Sequence, residues 1–426
     1  MDIEGARRSR KNERGVTLLI VAIGMVSLLA MAVLAMDVVS LYVAKDQAQQ
    51  TADAAALAGA EALANSGTTS APGSVPLSSV CNGSSGPADV WAQAVAAQNP
   101  VVGVSATLTT SCPTSPNTNP RILTTITRGG MPTFFARIWG GGTSTVMATA
   151  TAEAYNPSFD PLNPGPPIQI QGVKPWLIFN CNTCPGGPAY FTSTYAIVNS
   201  GAFIGTAVTL TLMASSSSPQ VSSPPSNTAQ FFAIDPPAPL SCPSNSAVSC
   251  SQIGTGPPGI FYHDNIACTG SFNFANGQSI PMASVQVDTR SKGNLQSRTV
   301  SGTQCLIHAA GSGLGQGQDT FTTGLPVTIT GGTNNPNPAL RGVSGIHRSD
   351  SVITAPVFNC PAVGPCDGTG AVQLQIVGFL QLGILDITAA GDINAVILNA
   401  AGIDPTSMGT PVTGAGSSPI PVRLIH

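Results

Sequence analysis

From Gly15 to Met36 the chain reads GVTLLIVAIGMVSLLAMAVLAM, a run without a single charge. As a helix, Val16 to Met36 rises about 31 Å, close to the roughly 30 Å of bilayer hydrocarbon. Asp37 closes the run on one side. Arg7, Arg8, Arg10, Lys11 and Arg14 precede it on the other. The pattern predicts a transmembrane helix over 16–36, with a basic tail (1–15) kept in the cytoplasm and the rest exported. A cleaved signal peptide is the competing reading, since Ala30-Met31-Ala32 has the small-x-small form of a cleavage site. The apolar part of such a peptide is shorter, however, and here the helical pattern continues beyond it.

Residues 37–64 contain no proline and are dominated by Ala, Gln and Leu. Leu41, Ala44, Ala48, Thr51, Ala55, Ala58 and Ala62 recur at alternating three- and four-residue steps. That periodicity predicts a helical stalk (37–65) with a narrow small-residue stripe suited to packing against another helix. Asn65-Ser66-Gly67 supplies the stop. The Gly-, Ser- and Pro-rich stretch 66–88 is expected as a linker, pinned at Cys81. Residues 89–155 are expected as a small α+β unit. It holds a helix at 91–97 and strands at 101–110, 122–128 and 145–155, with Phe134, Phe135, Ile138 and Trp139 packing on the sheet.

The five prolines between Asn156 and Pro167 mark the next boundary. Short apolar runs follow at 176–180, 189–198, 207–214, 230–234, 283–289, 325–331 and 351–359, each bounded by turn-forming residues. The run 371–391 is long enough for two adjacent strands, with Gly378 and Gly383 as possible bulges. Residues 156–426 are therefore expected as a β-rich, turn-rich exported domain. The fold class is α+β: a long membrane and stalk helix, a small α+β unit, then the β-rich domain.

Composition narrows the function. Only 8% of residues are charged, while Gly and Pro number 46 and 36. Beyond the basic tail the positive residues are spread too thinly to grip a phosphate backbone, so nucleic acid is excluded as a partner. All ten cysteines follow the apolar run, as an oxidising compartment favours. Near neighbours suggest disulfides Cys181–Cys184, Cys242–Cys250 and Cys360–Cys366, with free buried thiols as the alternative. Cys181 and Cys184 form a lone CxxC, read as a loop disulfide; redox chemistry or half a zinc site are the weaker readings. The four histidines show no metal-binding spacing, and His263-Asp264 is read as a solvated loop pair. No GxSxG elbow or phosphate-binding loop occurs. The expectation is a protein with no catalytic residues, no cofactor and no metal site.

The string ERGVTLLIVAIGMVSLLAMAVLAMDVVSLYVAKDQAQQTADAAALAGA resembles the N-terminal segment of TadE/TadG-like proteins of Flp (tight adherence) pilus systems. The shared features are a basic tail, Arg-Gly before the apolar run, Asp37 at its outer end, and a block carrying Gln49, Asp53 and Gly59. A looser likeness extends over 101–155. The resemblance implies a bacterial envelope protein that assembles or anchors an adhesive pilus through protein partners meeting the stalk, with Asp37, Gln49, Asp53 and Gly59 on the membrane or partner-helix side. It supplies no catalytic residue. The Asp-x-Ser-x-Ser metal motif that many TadG proteins carry is missing here. A class IV prepilin cut after Gly15 would need Glu at its fifth mature position, which is Ile20. An uncut inner-membrane anchor follows, with the N-terminus cytoplasmic and the bulk of the chain periplasmic or extracellular. The alternative is a minor pilin or surface adhesin cleaved after Gly15. A secreted hydrolase or carbohydrate-binding module would need an acid pair converging in a cleft.

Overall fold

The computed structural model describes residues 3–114, 119–133, 142–155, 169–181, 188–212, 228–234, 260–268, 273–281, 292–309, 316–359, 373–402, 415–416 and 420–425. The class is α+β, one long N-terminal helix followed by a β-rich region of mixed sheets. Helix α1 (Ile3–Asn65) runs unbroken for 63 residues. It is followed by the short turn α2 (Leu77–Val80), α3 (Pro87–Gln98), β1 (Thr107–Ser111), β2 (Arg121–Met131) and β3 (Ser144–Ala154). The chain divides into two compact units. The first comprises 1–55, 93–109 and 124–150, and the second 56–92, 110–123 and 151–426.

Within the first unit, residues 44–55 of α1 lie against the chain's own strands. Ala44, Ala48, Ala52 and Ala55 are completely buried. Small side chains are what permit this close approach: the Thr124 hydroxyl of β2 reaches the helix backbone, donating to Ala52 O at 2.9 Å. Gln49 Nε2 donates to Thr149 O of β3 at 3.0 Å, and the Lys45 ammonium donates to Met147 O. Thr51 Oγ1 donates to Asn99 O at 3.0 Å, and Val102 N donates to Gln47 Oε1 at 2.7 Å. The stripe assigned from sequence to a partner helix is thus sealed by the protein itself. Spacing alone cannot tell a helix partner from a sheet partner, because both want small residues on one face.

The second unit contains the remaining strands: β4 (Gln169–Gln171), β5 (Trp176–Phe179), β6 (Ala207–Leu212), β7 (Thr228–Ala233), β8 (Asn273–Ala275), β9 (Ser279–Pro281), β10 (Thr320–Phe321), β11 (Ile329–Thr330), β12 (Ser344–Ile346), β13 (Val352–Asn359), β14 (Gln373–Ile387), β15 (Ile393–Ala401), β16 (Ala415–Gly416) and β17 (Val422–Ile425). Helices α4 (Ser200–Phe203), α5 (Ile260–Ala267) and α6 (Lys292–Leu306) interrupt them. The main sheet has the order β13-β5-β7-β6-β15-β14-β9, and β13 also pairs with β14. The ladder therefore closes on itself as a six-stranded barrel of mixed direction, with β9 attached to the end of β14. Closure leaves no unpaired edge among the six, which suits strands as apolar as VITAPVFN and INAVILNAA. β17 pairs antiparallel with β3 from Val422↔Ala154 to Ile425↔Thr151, closing one end of a four-stranded sheet of order β1-β2-β3-β17. There the buried Glu153 receives Arg121 and Arg423 at 3.2 and 2.7 Å.

The run 371–391, expected as two strands, contains the single 15-residue strand β14. Its glycines make room for aromatic rings: a Cβ at Gly378 would run into Phe191, and one at Gly383 would stand 2.5 Å from Phe321. Register does shift beside Gly378, where Val357 pairs with Gly378 and Phe358 with Ile376. The run 189–198 contributes only an isolated bridge, Phe191↔Ile197, rather than a strand. Phe134, Phe135, Ile138, Trp139 and the run 283–289 lie outside the described residues.

The C-terminal end of α1 is fixed inside the second unit. Asn399 of β15 donates to Ala64 O at 2.6 Å, capping one of the helix's free carbonyls. Asn65 donates to His347 O and accepts from Gln381 Nε2 of β14, both at 2.8 Å. Residues 66–71, read from sequence as the start of a linker, are buried, with Gly67 at φ +84° turning the chain under Leu398 O and Ile204. The 82–86 loop is organised by Asp89, whose carboxylate accepts from Asn82 N (2.8 Å), Gly86 N (3.1 Å) and Thr110 Oγ1 (2.6 Å). Cys81 and Cys112 form a disulfide beside it, with Cα atoms 5.9 Å apart.

Candidate functional site: the N-terminal helix and its exposed apolar surface

Along α1 the environment changes sharply. Between Val16 and Met36 nearly every side chain is exposed, and these are large apolar groups such as Leu18, Ile20, Ile23, Val26, Leu28 and Met31. The most apolar 18-residue window has mean hydropathy 2.8 and none of it is buried. A contiguous apolar surface of this kind is costly in water and marks a membrane or partner contact. Its length and composition qualify this helix as a candidate membrane span.

The residues singled out from the sequence are distributed along the helix and do not converge. Asp37 is only 5% exposed and is engaged within the chain. Gln49 Nε2 donates to Asp53 Oδ1 at 2.8 Å, an i,i+4 pair that holds Gln49 toward Thr149. Gly59 is buried, and a Cβ there would stand 2.5 Å from Ile122 Cδ1 and 3.4 Å from Ala88 O. Gln49 and Gly59 therefore meet other segments of the chain, while the bond of Asp53 to Gln49 stays within the helix.

Of the cysteines, Cys181, Cys268 and Cys305 are disulfide-bonded as well as Cys81 and Cys112. Cys184, Cys242, Cys250, Cys360 and Cys366 lie outside the described residues. Cys81, Asp89 and Cys112 cluster closely enough to suggest metal ligation. Their two sulfurs are bonded to each other, so no thiolate is offered.

Two polar groupings were not anticipated from the sequence. Lys174 is buried, donating its ammonium to Ile266 O at 2.7 Å and Cys268 O at 3.0 Å, carbonyls at the C-terminal end of α5. Burial brings its pKa down to about 8, with Asp350 opposing. Asp350 is in turn held low, first by its hydrogen bond from His308 at 2.8 Å. Cationic charge at a helix C-terminus is stabilising, so this lysine serves as a tertiary cap. The second grouping lies near the end of α1. His347 stacks edgewise on Trp91 (6.3 Å, 62°), and burial pushes its pKa down to about 4. The Glu61 carboxyl is raised by desolvation, opposed by Arg348 and Trp91. A single buried His or Lys in a sequence carries no periodic signal, so neither grouping was legible there. His263 and Asp264, expected on a solvated loop, are buried in α5 with Nδ1 and Oδ1 2.9 Å apart.

The chain is thus an α+β protein whose long N-terminal helix is bare and apolar in its first part and buried against other segments in its second. Residues 15–62 match the family model of Flp pilus-assembly TadE/G-like proteins. The matched segment covers the bare apolar run and most of the stalk, 48 of the 426 residues. No curated protein and no solved structure matched the chain.

Proposed function

We propose that this protein is an uncut, single-span protein of the bacterial inner membrane that takes part in assembling or anchoring a Flp pilus. Its basic tail stays in the cytoplasm, residues 16–36 cross the bilayer, and the β-rich body stands on the far side. It is a structural component and performs no catalysis. The observation that carries this reading is the division of one continuous helix into a bare apolar part and a part closed by its own domain. Five basic residues before the run support the orientation.

Because the small-residue face of the stalk is occupied internally, partner helices of the pilus machinery meet the span within the membrane. The polar outer face of the stalk at Asp46 and Gln50 remains open to them as well. Cleavage after Gly15 would leave Ile20 where a polymerising pilin places a carboxylate. An intramembrane carboxylate pairs with a neighbouring subunit's terminal amine; isoleucine makes no such pair. The minor-pilin alternative is tested by shearing filaments from cells and blotting filament and inner-membrane fractions. Retention in the inner membrane, together with loss of filaments on deletion, supports the assembly role. Recovery in sheared filaments makes it a pilin.

A further inference from the structure

We infer that the first unit does not stand clear of the bilayer but rests in its outer interfacial layer, through an apolar collar formed by Val38, Val39, Tyr42, Val43, Val102, Val104 and Met147. This rests on the reading that residues 16–36 lie in the membrane. The sequence places the end of the span at Asp37, yet the structure places the change of surface further on. Asp37 is 5% exposed and turned into the protein, so its carboxylate is not offered to lipid. On the open side of the helix four large apolar side chains follow it: Val38, Val39, Tyr42 (76% exposed) and Val43. Ser40 among them is exposed, with its hydroxyl donating to Asp37 O at 2.9 Å, and charge returns to the exposed face only at Lys45 and Asp46.

From Val16 to Val43 the helix rises about 42 Å, which matches the bilayer with its headgroup layers (about 40–45 Å) better than the hydrocarbon alone. Tyr42 falls at the depth where amphipathic rings collect at the interface.

Two other segments of the unit, tied to the helix at Lys45 and Gln47, carry exposed apolar residues as well. Val102 N is bonded to Gln47, and Met147 O to Lys45, so both backbones are tied to the helix beside the apolar-to-polar change. The Val101–Val104 turn is a tight bridge with Val102 at φ 50° and Gly103 at φ 70°. A turn tip in water usually carries polar residues, but this one presents Val102 (45% exposed) and Val104 (48%). On β3 the outward positions Thr145 and Thr149 are polar, and Met147 between them is 54% exposed. Isolated exposed apolar residues are ordinary; four on the helix directly beyond its apolar run, with three more on segments tied to the helix at Lys45 and Gln47, fit an acyl-chain and headgroup boundary.

The test uses the full chain reconstituted in phosphatidylethanolamine–phosphatidylglycerol vesicles with a phospholipid carrying a photoactivated diazirine high on its acyl chain. Adducts are mapped by peptide mass spectrometry. The collar predicts adducts at 38–43, 102–104 and Met147 at yields within about threefold of those on 16–36. Adducts on 16–36 with collar yields lower by about tenfold or more overturn the collar and leave the anchor standing. Absence of adducts on 16–36 itself overturns the anchor reading and the collar with it.

Discussion

Gly59 shows how tightly the helix is held. A Cβ there would press on the terminal methyl of Ile122, while Ala88 O closes another side. Gly59→Ala gains helix propensity of about 1 kcal/mol and asks only Ile122 to yield, so its effect on stability is expected to be small. Gly59→Val adds branches that have no room, and a loss of about 1–3 kcal/mol is expected in urea unfolding of the detergent-solubilised protein. Equal stability of the two variants would contradict the packing described. His347 gives a pH signature. The folded protein keeps its ring neutral down to about pH 4, whereas the unfolded ring protonates near the ordinary value of 6.5. Its contribution is complete above pH 6.5 and is lost as pH falls from there toward 4, by about 3 kcal/mol. Glu61, whose folded pKa is raised, acts in the opposite sense and favours the fold as pH drops. Comparing unfolding midpoints of wild type and His347→Leu across this range isolates the histidine: the wild type should fall relative to the variant as pH drops. Gly59 was legible as part of a family-like block, though its reason was not. His347 was invisible, because only the approach of Trp91, Glu61 and Arg348 makes it unusual.

At the scale of elements, the sequence was most informative where periodicity is long. The unbroken helical pattern from Gly15, its stop at Asn65-Ser66-Gly67 and the strand at 122–128 all correspond to observed elements, because burial repeats along them many times over. It misled where a single property has two physical causes. The alanine stripe satisfies a sheet as well as a helix, and the run 371–391, long enough for two strands, contains one, with the bulge expected at Gly378 present as a register shift beside it. It was silent on Cys81–Cys112, since separation in sequence does not encode proximity. That disulfide spans 31 residues, and chain-entropy considerations give it about 3–4 kcal/mol. A Cys81→Ser, Cys112→Ser double variant should lower the urea midpoint accordingly, with the 82–86 loop becoming the first site of proteolysis. Unchanged stability and unchanged protease resistance would show that Asp89 alone holds the loop. Ala48→Leu probes the sealed stalk in the same way, with about 1–3 kcal/mol of destabilisation expected from overpacking in that unfolding assay. A neutral result would mean that this face of the helix is open to a partner after all.

For the whole molecule, the α+β class and the long apolar N-terminal helix were readable because length, apolarity and helical periodicity are local quantities. The closed barrel was not readable. Its closure depends on β13 pairing with both β5 and β14, strands far apart in the chain, and many short apolar runs are compatible with a sandwich as well. The family match covers residues 15–62, and the C-terminal end of that helix is bonded to β14 and β15. The account stands or falls on an anchor that is neither cut nor polymerised. The most direct measurement is the intact mass of the protein extracted from purified inner membranes, taken with and without reduction. The account predicts a chain that retains its basic tail and the apolar run, and that gains mass on reduction. A mature chain beginning at Val16 in filaments, or one beginning near Val33 in a soluble fraction, would contradict it.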